Sequence, residues 1–142
     1  MTKGKTLKQQ LTDREQQWKR AVADYRNLER RINEQQQIFV KFANAALVEK
    51  LLGIGDDLER ANQHVHDQGL SLIIDRFRQV LKDEGVDKIE ATGKEFDPLV
   101  MECQDMVEGE KNRVVKVIVP GYTLNGKVLR PAKVVVGGGN KV

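Results

Sequence analysis

Few residues of this chain have the types and spacing from which chemistry is built. His64, His66 and Asp67 stand within four positions, and imidazole with carboxylate is a donor set that zinc accepts. Two histidines at a spacing of two do not complete a tetrahedral site, so the segment reads as a solvated turn and no metal is assigned. Asp56, Asp57 and Glu59 cluster on one predicted helix. Acid–base hydrolysis needs two carboxyl groups opposed across a substrate, and this cluster does not supply them. Cys103 is the single cysteine; with no His near it in sequence, its default role is that of a small buried hydrophobe. Gly137, Gly138 and Gly139 follow a strand but precede no helix, so they form a tail and not a phosphate loop, and no Walker or dinucleotide motif occurs. Without converging groups of matched pKa there is no catalytic residue and no cofactor to assign, and the chain reads as a protein that is not an enzyme.

The element that must position everything else is the stretch from Leu7 to about Ala61. Leu11, Trp18, Tyr25, Ile32, Phe39 and Ala46 recur at steps of seven, and Ala21, Leu28 and Phe42 each lie three residues after a member of that set. This is the a/d seam of a helix that pairs with another helix, interrupted at Arg14 and Gln35. No Pro or Gly falls between Lys5 and Leu52, which predicts one helix roughly 70 Å long. A domain made from the remaining residues is only about 25 Å across, too short to cover such a stripe. A second copy of the chain is the simplest cover, and six large seam residues would contribute about 10 kcal/mol before chain entropy is subtracted. The expectation is a homodimer; a helix bundle folded within one chain is the alternative.

Composition narrows the classes. The net charge is +3, held in the first 61 residues as 12 Lys/Arg against 9 Asp/Glu. So small a surplus, mixed with acids, is a poor footprint for nucleic acid. No apolar run approaches the roughly 18 residues that span a bilayer, and no secretory signal follows Met1 to Lys5. With one cysteine, this suits a reducing, cytoplasmic location. No nucleic-acid or membrane partner is expected.

Thr6 to Gln9 and Thr12 to Glu15 both fit a capping box that would start the helix. Past Ala46 the apolar stripe changes phase and widens, and Gly53 and Gly55 lie inside it, so a break near Gly53 is expected. After a connection over 62–68, Leu70, Ile73, Ile74, Phe77, Val80 and Leu81 repeat at helical spacing up to Gly85, a favoured left-handed stop. Two such short helices per chain would make a four-helix bundle in the dimer. From Val86 the period is two, predicting strands over 86–91, 99–108, 113–119, 122–124, 127–129 and 133–136. Asn125-Gly126 marks a two-residue type I′ hairpin. In the third strand, Val115, Val117 and Val119 are expected on the core face and Val114, Lys116 and Ile118 opposite. The fold class is thus α+β: a long dimerising helix (1–52), short helices forming the bundle (53–85), a small all-β domain (86–137) and a tail (138–142).

Read together, these segments resemble the GrpE family, the nucleotide exchange factors of DnaK-type chaperones. The run GYTLNGKVLRPAKVVV from Gly121 to Val136 matches the family's most characteristic stretch. Phe96-Asp97-Pro98, Leu51-Leu52 and the segment from Asp56 to Ala61 match others, and Tyr25 to Leu28 with Arg30-Arg31 follow the long-helix pattern more loosely. The chain departs from the family at Gly53, where Pro is usual, at Met101, where His is frequent, and at Lys127, where Arg is common. Glu29 and Ile38 stand where some relatives place charges that contact the chaperone, so those contacts are not carried over.

The resemblance implies a parallel homodimer whose β-domain pushes on the chaperone's ATPase domain, opens its nucleotide cleft and releases ADP. It also implies a set of partner-binding residues: Ile118, Asn125, Gly126, Lys127, Arg130, Val136 and Gly69. Lys127 and Arg130 would pair with carboxylates of the chaperone, and Ile118 and Val136 would supply apolar contact. The dimer seam would comprise Leu11, Trp18, Tyr25, Leu28, Ile32, Phe39 and Phe42. Against this stand purely structural roles: Asn125 and Gly126 for the turn, Gly69 for the helix start, and Arg130 snorkelling over the sheet. The alternative function is a coiled-coil scaffold without exchange activity.

Overall fold

A computed structural model describes residues 4–139. The chain falls into two compact units, the first ending at Lys41 and the second beginning at Phe42. The first unit is almost entirely helix α1 (Leu7–Phe42), none of whose residues is buried. Of the two predicted capping boxes, the first forms: the Thr6 amide donates to Gln9 Oε1 at 3.0 Å, and the Gln9 amide to Thr6 Oγ1 at 3.4 Å.

The predicted break at Gly53 is corrected. The helix is interrupted at Ala43–Asn44, and α2 (Ala45–Val65) runs unbroken through both glycines. The change of stripe phase accounts for this, because the turn aims Val48 and Leu52 into a core, with Phe42 and Ala45 packed against it. Gly55 has a packing role: a Cβ there would lie 2.8 Å from the Phe77 ring of the next helix. The predicted connection over 62–68 shrinks to His66 and Asp67, and each has a backbone task. His66 ends α2 in the left-handed conformation, and the Asp67 carboxylate accepts the Leu70 amide at 2.8 Å to cap α3 (Gln68–Asp83). Gly85 (φ +86°) closes α3 as expected.

The β region contains two sheets and contributes to two cores. Strands β1 (Val86–Lys88), β4 (Tyr122–Leu124) and β5 (Lys127–Arg130) form an antiparallel sheet in the order β1-β4-β5. This sheet shares a core with the short helices, built on Val48, Leu52, Leu81, Val86 and Leu124. Strands β2 (Met101–Val107), β3 (Val114–Val119) and β6 (Ala132–Gly137) form a mixed sheet with β6 central, parallel to β2 and antiparallel to β3. Its own core contains Ala91, Met101, Val114, Ala132, Val134 and Val136.

Two expectations fail in this second sheet. Val114 is buried and Val115 exposed, the reverse of the predicted alternation, because the β3–β6 register shifts between Val114 and Lys116. Such a bulge moves one residue to the other face. Cys103 is exposed on edge strand β2, where its thiol donates to the Asp105 carbonyl at 3.4 Å. The glycine run is only partly a tail. Gly137 completes β6, where a Cβ would run into the Glu110 carbonyl, and the amides of Gly138 and Gly139 donate to Val107 and Gly109. The remainder of the predicted tail, 140–142, lies outside the described residues.

Candidate partner-binding surface

The residues singled out for binding gather mainly on the β4–β5 hairpin. Asn125 and Gly126 both have positive φ, +47° and +87°, as a type I′ turn requires at its two central positions. The Asn125 amide donates to the Gly85 carbonyl at 2.9 Å, which fastens the tip to the C-terminal end of α3. Lys127 follows the turn with its side chain exposed and its ammonium 5.4 Å from the centroid of the Phe42 ring. The hairpin therefore presents one cation beside a fixed backbone turn, a surface suited to a carboxylate on another molecule.

Other residues sit differently. Ile118 is 51% exposed on β3, beside α2 across an open cleft of about 150 Å³ that Asp56, Glu59 and Pro120 also line. Gly69 is the second residue of α3, next to the capping carboxylate of Asp67. Val136, expected to offer apolar contact, is 4% exposed and packed within the second core, so it shapes the sheet from behind.

Arg130, expected to meet a partner's carboxylate, is committed to its own chain. Nη1 and Nη2 bind the two carboxylate oxygens of Asp56 at 2.6 and 3.1 Å, and Nε and Nη2 donate to the Pro120 carbonyl at 3.1 and 2.7 Å. That fork geometry uses most of what a guanidinium can donate. Both side chains are about four-fifths covered, at 21% and 20% exposure.

The seam residues Leu11, Trp18, Tyr25, Leu28, Ile32 and Phe39 all lie on α1 and are all exposed in the single chain. Phe42 is the exception, because it packs against the core of the second unit and beneath Lys127.

Sequence reasoning missed a group centred on Tyr122. Its ring lies 5.4 Å from the Arg130 guanidinium, while Glu59, one turn beyond Asp56 on α2, binds Arg78 of α3 at 2.7 and 3.0 Å. Burial pushes the Tyr122 phenol above its ordinary value of 10.0, helped by Glu59 and Asp56 and opposed by Arg130 and Arg78. The bond from Glu59 raises the Arg78 guanidinium, and burial opposes it. The available signal was the three-residue spacing of Asp56 and Glu59, which puts both carboxylates on one face of α2.

Fold and surface define an α+β protein that exposes a long apolar helical stripe and a hairpin tipped by a cation. The chain belongs to the GrpE family, whose model matches residues 2–138. It is similar to Protein GrpE of Methanosphaera stadtmanae, 40% identical over 124 residues that cover 82% of this chain and 72% of that one. It is also similar to Protein GrpE of Methanothrix thermoacetophila (34%; 92% of this chain, 78% of the relative) and of Clostridioides difficile (34%; 93% and 68%). The family role is that of a co-chaperone and nucleotide exchange factor. Among the described residues, no helix is long and apolar enough to cross a membrane.

Proposed function

We propose that this chain works as a homodimer that binds the ATPase domain of a DnaK-type chaperone, opens its nucleotide cleft and promotes release of ADP. Family membership over nearly the whole chain carries the reading, and the exposed surfaces support it. The uncovered seam on α1 needs a partner of matching periodicity, and a second copy offers one. Leu47 and Ile54 on α2, with Ile73 and Val80 on α3, are more than half exposed at seven-residue spacing. Burying them between two copies would make the expected four-helix bundle.

An exchange factor of this kind acts by differential binding. It holds the open, nucleotide-poor cleft more tightly than the closed one, with Lys127 and Ile118 as its contacts to the ATPase domain. Linkage then requires ADP to weaken the complex by the factor through which the complex weakens ADP. The test is release of fluorescent ADP from a cognate DnaK-type chaperone, read with increasing amounts of the protein. A rate that rises and saturates is expected, and an unchanged rate at micromolar concentration with a functional chaperone overturns the reading.

A further inference from the structure

Asp56 and Glu59 lie one turn apart on α2, and each grips an arginine from a different element. Asp56 takes Arg130 at the end of β5, and Glu59 takes Arg78 in the middle of α3. Tyr122 of β4 lines a crevice together with Glu59 and Arg78, and its ring lies 5.4 Å from the Arg130 guanidinium. One helical face is thereby tied to both neighbours through directed bonds, whereas the apolar core beneath them is non-directional. The Asp56–Arg130 pair is bidentate and sheltered, spans 74 positions of sequence and also fixes the Pro120 carbonyl, where β3 hands over to β4. It closes the open end of the hairpin, opposite the turn that Lys127 follows.

We propose that Asp56 is a positioning residue for exchange: through Arg130 it locks the β4–β5 hairpin to α2, so that force exerted at the hairpin is borne by the helices and not lost in bending the hairpin. The proposal rests on the exchange-factor reading. It gives Arg130 a task inside its own chain, in place of direct contact with the chaperone. A hairpin without the lock still presents Lys127 and still docks, but it yields under load. Loss of the lock therefore lowers the rate of ADP release at saturation more than it raises the concentration needed for half-saturation.

The experiment compares the full-length protein with Asp56→Asn, Asp56→Glu, Arg130→Gln and the exchanged pair Asp56→Arg/Arg130→Asp. Amide hydrogen exchange across 122–130 is measured without any chaperone, and ADP release with one. For Asp56→Asn we expect hairpin amides to exchange about tenfold faster and the saturating release rate to fall about tenfold, with half-saturation moving less than about threefold. Arg130→Gln should match it, and Asp56→Glu should recover part of both losses. Retained protection at Leu52 and Val134 identifies variants that are folded, and the exchanged pair supplies the comparison if Asp56→Asn is not.

Three results overturn the proposal. One is unchanged hairpin exchange in Asp56→Asn. Another is a loss of release in Arg130→Gln that Asp56→Asn does not share, which would make Arg130 a direct contact. The third is a rise in half-saturation at an unchanged saturating rate. If the unaltered protein fails to release ADP, the exchange-factor reading falls, while hairpin exchange still decides whether the lock exists.

Discussion

Helix α1 and the region from Phe42 onward use the same kinds of apolar residue to opposite effect. Trp18 and Ile32 on α1 are 66% and 51% exposed, whereas Leu52 and Leu124 in the second unit are 2% and 0% exposed. The second unit has its own reasons to fold, since each of its sheets closes over a core within the chain. Among the described residues, the first shows helix propensity, a capping box and exposed ion pairs such as Arg30–Glu34 at 3.6 Å, each worth about 1 kcal/mol or less. Its apolar stripe contributes little to stability while it stays exposed.

The largest effect is therefore expected where the stripe is disrupted. Trp18→Asp with Ile32→Asp puts two charges into the seam. It should convert the proposed dimer to a monomer in sedimentation at micromolar concentration and remove much of the α1 helicity seen by circular dichroism. Hydrogen-exchange protection at Leu52 and Val134 should survive. If both units melt together, they are one cooperative body and the contrast between them fails.

Next in size are changes inside the cores. Leu124→Ala removes a fully buried side chain and should cost about 2–5 kcal/mol in denaturant unfolding of the second unit. Gly121→Ala should cost about 1–3 kcal/mol, because its Cβ would meet the backbone of Ala132, which has no flexible end to give way. Neither change should affect the helicity of α1.

How much of this could be read beforehand differs between the same two regions. The exposed apolar stripe of α1 was legible because a seven-residue period is a property of sequence alone, and so were the Asn125-Gly126 turn and the Gly85 stop, where backbone conformation dictates residue type. The failures share a cause, which is that the deciding partner lies far away in sequence. Gly53 gave no break because Val48 and Leu52 pack with the distant Leu81, Val86 and Leu124, which places the turn earlier, at Ala43–Asn44. The β3 alternation failed at a bulge that only pairing with β6 imposes. Phe42 fitted the seam by spacing but is held by Lys127 and the second core. Arg130 looked like a hand held out to a partner because Asp56, its mate, lies 74 positions away.

A smaller effect on stability, with a large one on binding, is expected at Lys127. Its ammonium is exposed, and its contact with Phe42 is worth about 0.5–1 kcal/mol. Lys127→Glu should thus leave the unfolding midpoint almost unchanged while weakening the proposed chaperone binding by tenfold or more, since it sets like charges against each other. Undiminished binding by a folded Lys127→Glu protein would move the contact away from the hairpin and favour the scaffold reading.

The smallest effect concerns Tyr122 and appears only in alkali. Burial raises its folded pKa above the unfolded value of 10.0, so the folded state keeps the phenolic proton longer. That contribution to stability is complete below the unfolded pKa and is lost as pH rises through the folded one. Stability of the second unit should consequently decline on the alkaline side. The informative quantity is the difference between the unaltered protein and Tyr122→Phe, which has no phenol to ionise. The variant should show the shallower decline in denaturant melts between about pH 9 and 11. Equal slopes would mean that Tyr122 ionises as easily folded as unfolded, and that water reaches the space between the two arginines.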